Sequence, residues 1–220
     1  MSILGAPLKC FLVEKDKDWK IITANSAFKE LAGAKDIEQI KGLSDYELPW
    51  SEYTHLYLPH HIDALAGEIY SSILPVKNYA GDINLYMHTR IGKKDAEGNI
   101  SSLLNHFVEM ADPAWQELNT LLAKKSPVPE QGYYINKSNL FNLTPKESEI
   151  LFYLTQGKTA KQIARILLRS FRTIESHIAR LKAKLHCRTT AELIIFAMTH
   201  GFMRMLPKEP VGSLVEKLKV

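Results

Sequence analysis

The sequence predicts an α+β protein in two parts: an antiparallel sheet carrying helices, then an all-α module of four short helices. Three observations carry that expectation. Residues 84–92 alternate between two faces with the period of a strand. From Leu143 onward, helix-start signals recur at short intervals. Between these stretches, SPVPEQGYY at 126–134 breaks all periodicity. The expected division is 1–111 for the sheet, 112–141 for a connector helix and linker, 142–204 for the helical module and 205–220 for a tail.

Taken in order, Leu8–Glu14 and Trp19–Ala24 are predicted strands around the charged turn Lys15-Asp16-Lys17-Asp18. Asn25–Gly33 is a short helix stopped by Gly33. Glu52–Leu74 reads as a longer helical stretch ended by Pro75. In 84–92, Leu85, Met87, Thr89 and Ile91 form the apolar face of a half-buried strand, opposite Asn84, Tyr86, His88 and Arg90. The turn Asp95-Ala96-Glu97-Gly98 leads into a strand at Ile100–Glu109. A helix over 112–124 takes Asp112 as cap and Pro113 as first residue, with Trp115, Leu118, Leu121 and Leu122 on one face.

In the helical module, Thr144/Glu147, Thr159/Gln162 and Thr189/Glu192 have capping-box spacing, and Ser170 can cap a helix from Phe171. Four helices are expected, about 145–156, 160–167, 171–185 and 190–200, the first ended by Gly157. Their apolar stripes (Ile150, Leu151, Leu154; Ile163, Ile166, Leu167; Ile174, Ile178, Leu181, Leu185; Leu193, Ile194, Ala197) describe one small shared core.

Charge separates the two parts. Residues 142–204 hold eleven Lys/Arg against four acids, a net +7, whereas residues 1–141 carry 14 basic and 18 acidic side chains, a net −4. A basic compact half suits a polyanion. Its third helix leaves Arg172, Thr173, Glu175, Ser176, Arg180, Lys182 and Lys184 off the core stripe, the layout of a helix that docks in the major groove of DNA. Thr159 and Thr173 sit near helix N-termini, where hydroxyls and free N–H groups suit phosphate oxygens. No nucleotide-binding glycine loop, metal-ligand cluster, nucleophile elbow, kinase motif or early acidic pair of a phosphorylated receiver is present, so an enzyme is not expected. Cys10 and Cys187 lie far apart, no apolar run approaches the roughly 20 residues of a membrane span, and the N-terminus lacks a secretory layout. A cytoplasmic protein without a membrane partner is expected.

Leu143–Leu151, Gly157–Ala164 and Ser170–Ile178, followed by Lys184-Leu185, together resemble the LuxR-type (GerE) DNA-binding domain over about 60 residues. The resemblance implies roles. Glu175, Ser176 and Ala179 fall where the family reads bases. Thr159, Lys161, Arg172, Thr173, Arg180 and Lys184 fall at or near phosphate-contacting positions. His177 matches a family histidine that packs and touches backbone, and Cys187 a small apolar position. The last helix corresponds to the family's dimer face. The chain departs at Leu168-Arg169, where the family commonly has glycine and an apolar residue. The resemblance further implies a homodimer on an inverted-repeat operator, with RNA polymerase as a candidate partner.

Trp19–Ile22 running into Ala24-Asn25-Ser26-Ala27-Phe28 resembles a PAS signature. So do Gly42–Trp50 (GLSDYELPW) and the hairpin Asp95–Ile100, although Ser102, Asn105 and Glu109-Met110 replace the usual residues. A PAS-like half implies a sensor or a dimerisation device. A flavin photoreceptor needs a reactive cysteine in a GRNCRFLQ-like helix, and none is present. Haem needs an axial ligand, for which His55, His60, His61, His88 and His106 qualify by type only; neither cofactor is expected. His60-His61 reads as surface polarity, His88 and His106 as satisfied core groups. A small organic molecule in an apolar cleft lined by Phe28, Leu31, Leu56 and Leu104 is the ligand reading, and a filled pocket that serves assembly is the other. A second reading with the same output is a quorum receptor for an acyl-homoserine lactone. The tail 205–220 belongs to neither family; Ser213–Lys219 has the pattern of a short amphipathic helix.

Overall fold

The computed structural model describes residues 9–110, 112–123, 132–135 and 141–219, apart from the side chains of Asn119 and Ala123. Most of the expected linker at 125–141, and Leu8 of the first expected strand, lie outside those residues. The chain divides into two compact units: Met1–Ala111 with Glu130–Gly132, and Asp112–Pro129 with Tyr133–Val220.

The first unit is an antiparallel sheet with helices, the architecture that the PAS resemblance implies. Its strands are β1 (Cys10–Lys15), β2 (Ile21–Ala24), β3 (Ser71–Lys77), β4 (Ile83–Lys94) and β5 (Ile100–Glu109), ordered β2-β1-β5-β4-β3. Helix α1 (Ser26–Ala32) begins where the Asn25 side chain accepts from the Phe28 N–H and ends at Gly33 in the left-handed region. Glycine is required there: φ is +76°, and a Cβ would meet the Tyr79 side chain at 2.9 Å. Helix α2 (Thr54–Leu65) carries Pro59 in its interior and stops well short of Leu74. Residues 71–77 are strand rather than helix, and Pro75 lies within β3. Ile73 and Leu74 are both fully buried, so this segment shows no period-two signal.

Two strand faces correct the sequence reading. In β4 the buried residues are Tyr86, His88 and Arg90, while Leu85, Met87 and Thr89 are half-buried and Ile91 is exposed. In β5, Leu103, Asn105 and Phe107 face the core, and Leu104 is 37% exposed on the other face. A one-residue change of parity moves every side chain across the sheet. Leu104 therefore lies on the face away from the core, and His106 is exposed. The inner face is closed by an aromatic cluster, with Phe11 stacked on Phe107 at 4.9 Å and Phe28 edge-on to Trp50 at 5.4 Å.

The second unit comprises α3 (Pro113–Ala123), β6 (Tyr133–Ile135), α4 (Pro145–Thr155), α5 (Ala160–Ile166), α6 (Phe171–Lys184), α7 (Thr190–Thr199), β7 (Met205–Leu206) and α8 (Val211–Lys219). The expected caps operate: Thr144, Thr159, Ser170 and Thr189 each accept from the backbone three residues on. The first two boxes are reciprocal, whereas Glu192 turns to the Arg188 N–H instead. Ile150, Leu151, Ile163, Ile174, Leu181, Leu193 and Ala197 meet in one core. The tail is structured: α8 buries Leu214, Val215 and Leu218 and packs on α3, which buries Leu118 and Leu122.

Candidate nucleic-acid interface and ligand cavity

In the second unit, α5 and α6 form a helix-turn-helix. The turn closes without glycine. Leu168 takes φ +50°, its N–H donates to the Arg165 carbonyl at 3.2 Å, and the Arg169 N–H donates to the Ala164 carbonyl at 2.9 Å. That is a left-handed helix stop made by a leucine whose side chain is 88% exposed. Helix α6 buries Ile174, Ile178 and Leu181. The same geometry leaves Glu175, Ser176 and Ala179 exposed, as it does Arg172, Thr173 and Arg180.

The anion-binding groups surround that face. Thr159 and Lys161 are exposed at the start of α5. Arg165, Arg169, Arg172 and Arg180 are exposed with no ion pair among the described residues. Lys184 differs: its ammonium donates to the Asn142 carbonyl at 2.6 Å and to Glu147 at 3.2 Å, so it ties α6 to the start of α4. The Ser176 hydroxyl donates to the Arg172 carbonyl at 2.9 Å, which leaves its lone pairs available to a base edge.

The family that describes bacterial regulatory proteins of the luxR type matches residues 141–197, the span holding α4 to α6 and most of α7. Residues 141–197 are a LuxR-family domain. The chain is 43% identical over 61 residues to the transcriptional regulatory protein MctR of Rhizobium johnstonii, covering 28% of each chain. The transcriptional activator protein ExaE of Pseudomonas putida is 34% identical over 90 residues, 41% of each chain. The chain thus spans about a quarter to two fifths of the length of the curated relatives it matches. Among solved structures, a Vibrio cholerae VqmA dimer without target DNA covers 95% of this chain and 88% of its own, at 24% identity and a TM-score of 0.47. A VqmA–ligand–DNA complex aligns at 25% identity and a TM-score of 0.45 over 91% of this chain and 86% of its own. The LuxR family and these relatives are transcription regulators, not enzymes.

The first unit holds a second constellation, on the inner face of its sheet. A cavity of about 20 Å³, enough for one water-sized molecule, is lined by Lys15, Asp45, Trp50, Tyr57, His61, His88, Arg90, Asn105 and the rings of Phe28 and Phe107. Asp45 is its hub. It sits 2.6 Å from the Lys15 ammonium, and it accepts from the Trp50 indole at 2.9 Å and from His61 Nε2 at 3.1 Å. Burial alone would raise the Asp45 carboxyl, but Lys15 and His61 outweigh it and hold the group well below the usual range. Burial pushes His61 down to about 4 against the opposing bond from Asp45, and burial with Arg90 beside it pushes His88 down as well. Both imidazoles are neutral at pH 7. Arg90 is fixed by a 3.0 Å bond to Ser72.

Four buried atoms of this lining have no hydrogen-bond partner among the described residues: His61 Nδ1, His88 Nε2, Arg90 Nε and Asn105 Oδ1. With His61 Nε2–H given to Asp45, its Nδ1 is an acceptor. His88 Nδ1 faces the Asn105 amide at 3.4 Å, which makes its Nε2 a donor. The lining therefore offers two donors and two acceptors. An unpaired buried polar group costs about 1–3 kcal/mol, and four of them belong to residues that line this one cavity.

Of the four residues expected at an apolar cleft, Phe28 lines this cavity, Leu31 and Leu56 are core, and Leu104 is outside. The expected apolar lining is replaced by a charged one because β4 presents His88 and Arg90 inward. Sequence reasoning missed Lys15, Asp45 and Arg90, and it placed His61 on the surface. The available signal was the Gly42–Trp50 segment, which contains both Asp45 and Trp50.

Proposed function

We propose that the chain is a sequence-specific, DNA-binding transcription regulator that works in the cytoplasm as a homodimer on an inverted repeat. Its first unit senses a small polar molecule. The observation that carries the DNA reading is the helix-turn-helix of the LuxR-family segment, which exposes Glu175, Ser176 and Ala179 between Arg172 and Arg180. In this reading Glu175, Ser176 and Ala179 read base edges. Thr159, Lys161, Arg172, Thr173 and Arg180 hold phosphates, joined by Arg169 from the turn. Lys184 reaches phosphate only by leaving Glu147.

The sensing reading is supported by the four unpartnered buried atoms around the cavity. Charged and hydrogen-bonding groups dominate the lining, which suits a compact molecule bearing both donors and acceptors better than an acyl-homoserine lactone. Such a guest exceeds 20 Å³, so binding must spread the lining. Titration of the full chain with duplex selected from a random pool tests the output: salt-sensitive binding with sequence preference supports the reading, and equal affinity for all duplexes at every salt refutes it. Native mass spectrometry of the purified chain tests the input through a copurifying small molecule.

A further inference from the structure

The second unit continues past the LuxR-family segment, which ends at residue 197. A short turn at Phe202–Arg204, β7 and α8 complete it, and each is tied to something specific. β7 pairs in parallel with β6, Tyr134 opposite Met205 and Ile135 opposite Leu206, with Arg204 5.2 Å from the Tyr134 ring. Glu209, just before α8, accepts from the Tyr153 hydroxyl of α4 at 3.0 Å and from Ser213 at 2.9 Å. On one side α8 lies along α3, where Lys219 pairs with Glu117 at 2.9 Å. At its C-terminal end, the Leu218 carbonyl accepts from the Lys158 ammonium at 2.8 Å.

Lys158 decides what this arrangement does. It lies in the turn between α4 and α5, next to Thr159, in the most basic stretch of the chain. It is one of the eleven Lys/Arg of residues 142–204, yet it does not face solvent. It is 8% exposed, and its charge serves one of the last-turn carbonyls of α8, groups with no partner inside their own helix. Meanwhile α3, on the other side of α8, starts only residues 110–112 after β5 ends. A continuous packed path therefore runs from α3 through α8 to Lys158 and the cap of α5.

We propose that α8 is a brace that fastens α3 to the α4–α5 turn, that Lys158 is its anchor rather than a DNA contact, and that the brace positions the phosphate-binding start of α5. The last step rests on the DNA-binding reading; the brace itself does not.

The test compares the full chain with Lys158→Met, which keeps the aliphatic stem, with Lys158→Arg, which keeps a donor, and with a chain ending at Leu206. Hydrogen exchange of α3 and of the 156–162 backbone reads the brace. Anisotropy titration with a random-sequence duplex at several low salt concentrations reads its consequence. Lys158→Met and the truncation should each speed exchange in both segments by about tenfold. They should weaken duplex binding several-fold, and leave the slope of log K against log salt unchanged. Lys158→Arg should restore most of both. Lys158→Met placed in the shortened chain should add nothing further. A slope reduced by about one with exchange unchanged would make Lys158 a phosphate contact and overturn the proposal. Unchanged exchange in the shortened chain would also overturn it. If the wild-type chain bound no duplex, the DNA-binding reading and the positioning step would fall, while the exchange comparison would still decide the brace.

Discussion

Replacing Asp45 with alanine is the most demanding perturbation the first unit can be given. The carboxylate is 5% exposed and Lys15 is 2% exposed. Alanine leaves an ammonium buried without its partner at 2.6 Å, and it strands the Trp50 indole N–H and the His61 Nε2–H. Removing one member of a buried ion pair costs about 3–5 kcal/mol, and each stranded neutral donor adds about 1–3 kcal/mol where water cannot reach it. The ion-pair term alone, near ~4 kcal/mol, lowers Tm by roughly 15–30 °C in a unit of this size, and the stranded donors add to that. Scanning calorimetry of the full chain, with the near-ultraviolet signal of Trp50 to assign the transition, measures it. The control is the double replacement Lys15→Met with Asp45→Leu, which removes both charges and should recover the ion-pair part of the loss, because an apolar pair needs no desolvation, while the Trp50 and His61 N–H groups stay stranded. If Asp45→Ala lay within about 1 kcal/mol of wild type, the pair would not be desolvated as described and the polar-cavity argument would fall.

The folded-state pKa of His61, about 4, lies below its unfolded value near 6.5, so the native state binds fewer protons between them. Stability of the first unit should therefore fall as pH drops from 6.5 towards 4, and His61→Gln should flatten that part of the curve in urea melts. Asp45, depressed in the folded state, contributes its stability above about pH 3.9 and loses it only as pH falls towards its lower folded value. Leu168→Gly should stabilise the second unit by about 0.5–1 kcal/mol, because relief of left-handed strain exceeds the entropy glycine adds to the unfolded chain; a lower Tm would contradict the φ of +50°. Arg180→Ala should weaken binding to all duplexes alike and lower the salt slope by about one, whereas Ser176→Ala should change base preference. A uniform loss from Ser176→Ala would remove it as a reader.

Local rules made the helical module readable. Thr144, Thr159, Ser170 and Thr189 signal their helices through caps that depend on three or four neighbouring residues, and the core stripe of α6 follows from spacing alone. The sheet was less readable, for physical reasons that can be named. β3 is buried on both faces, so Ile73 and Leu74 gave no alternation and the segment passed for the end of α2. In β4 the period was read correctly and the parity was not. Polarity set Tyr86 and Arg90 with His88 opposite the apolar face, yet all three are buried: Ser72 accepts from Arg90, Asp45 favours the Arg90 charge, Asn105 faces His88, and Phe11 and Phe107 pack on Tyr86, all from other elements. Compensation between residues distant in the chain is invisible to a window along it. The same holds for Lys158, which donates to the Leu218 carbonyl.

Selection of duplexes by the full-length chain from a random pool, then titration of the enriched sequence and a scrambled control across salt, tests the central claim most directly. The account predicts an enriched inverted repeat, bound about a thousandfold or more tighter than the control, with affinity falling linearly in log salt. A pool that stays random through every round, or an enriched sequence bound no tighter than its scramble, would contradict it.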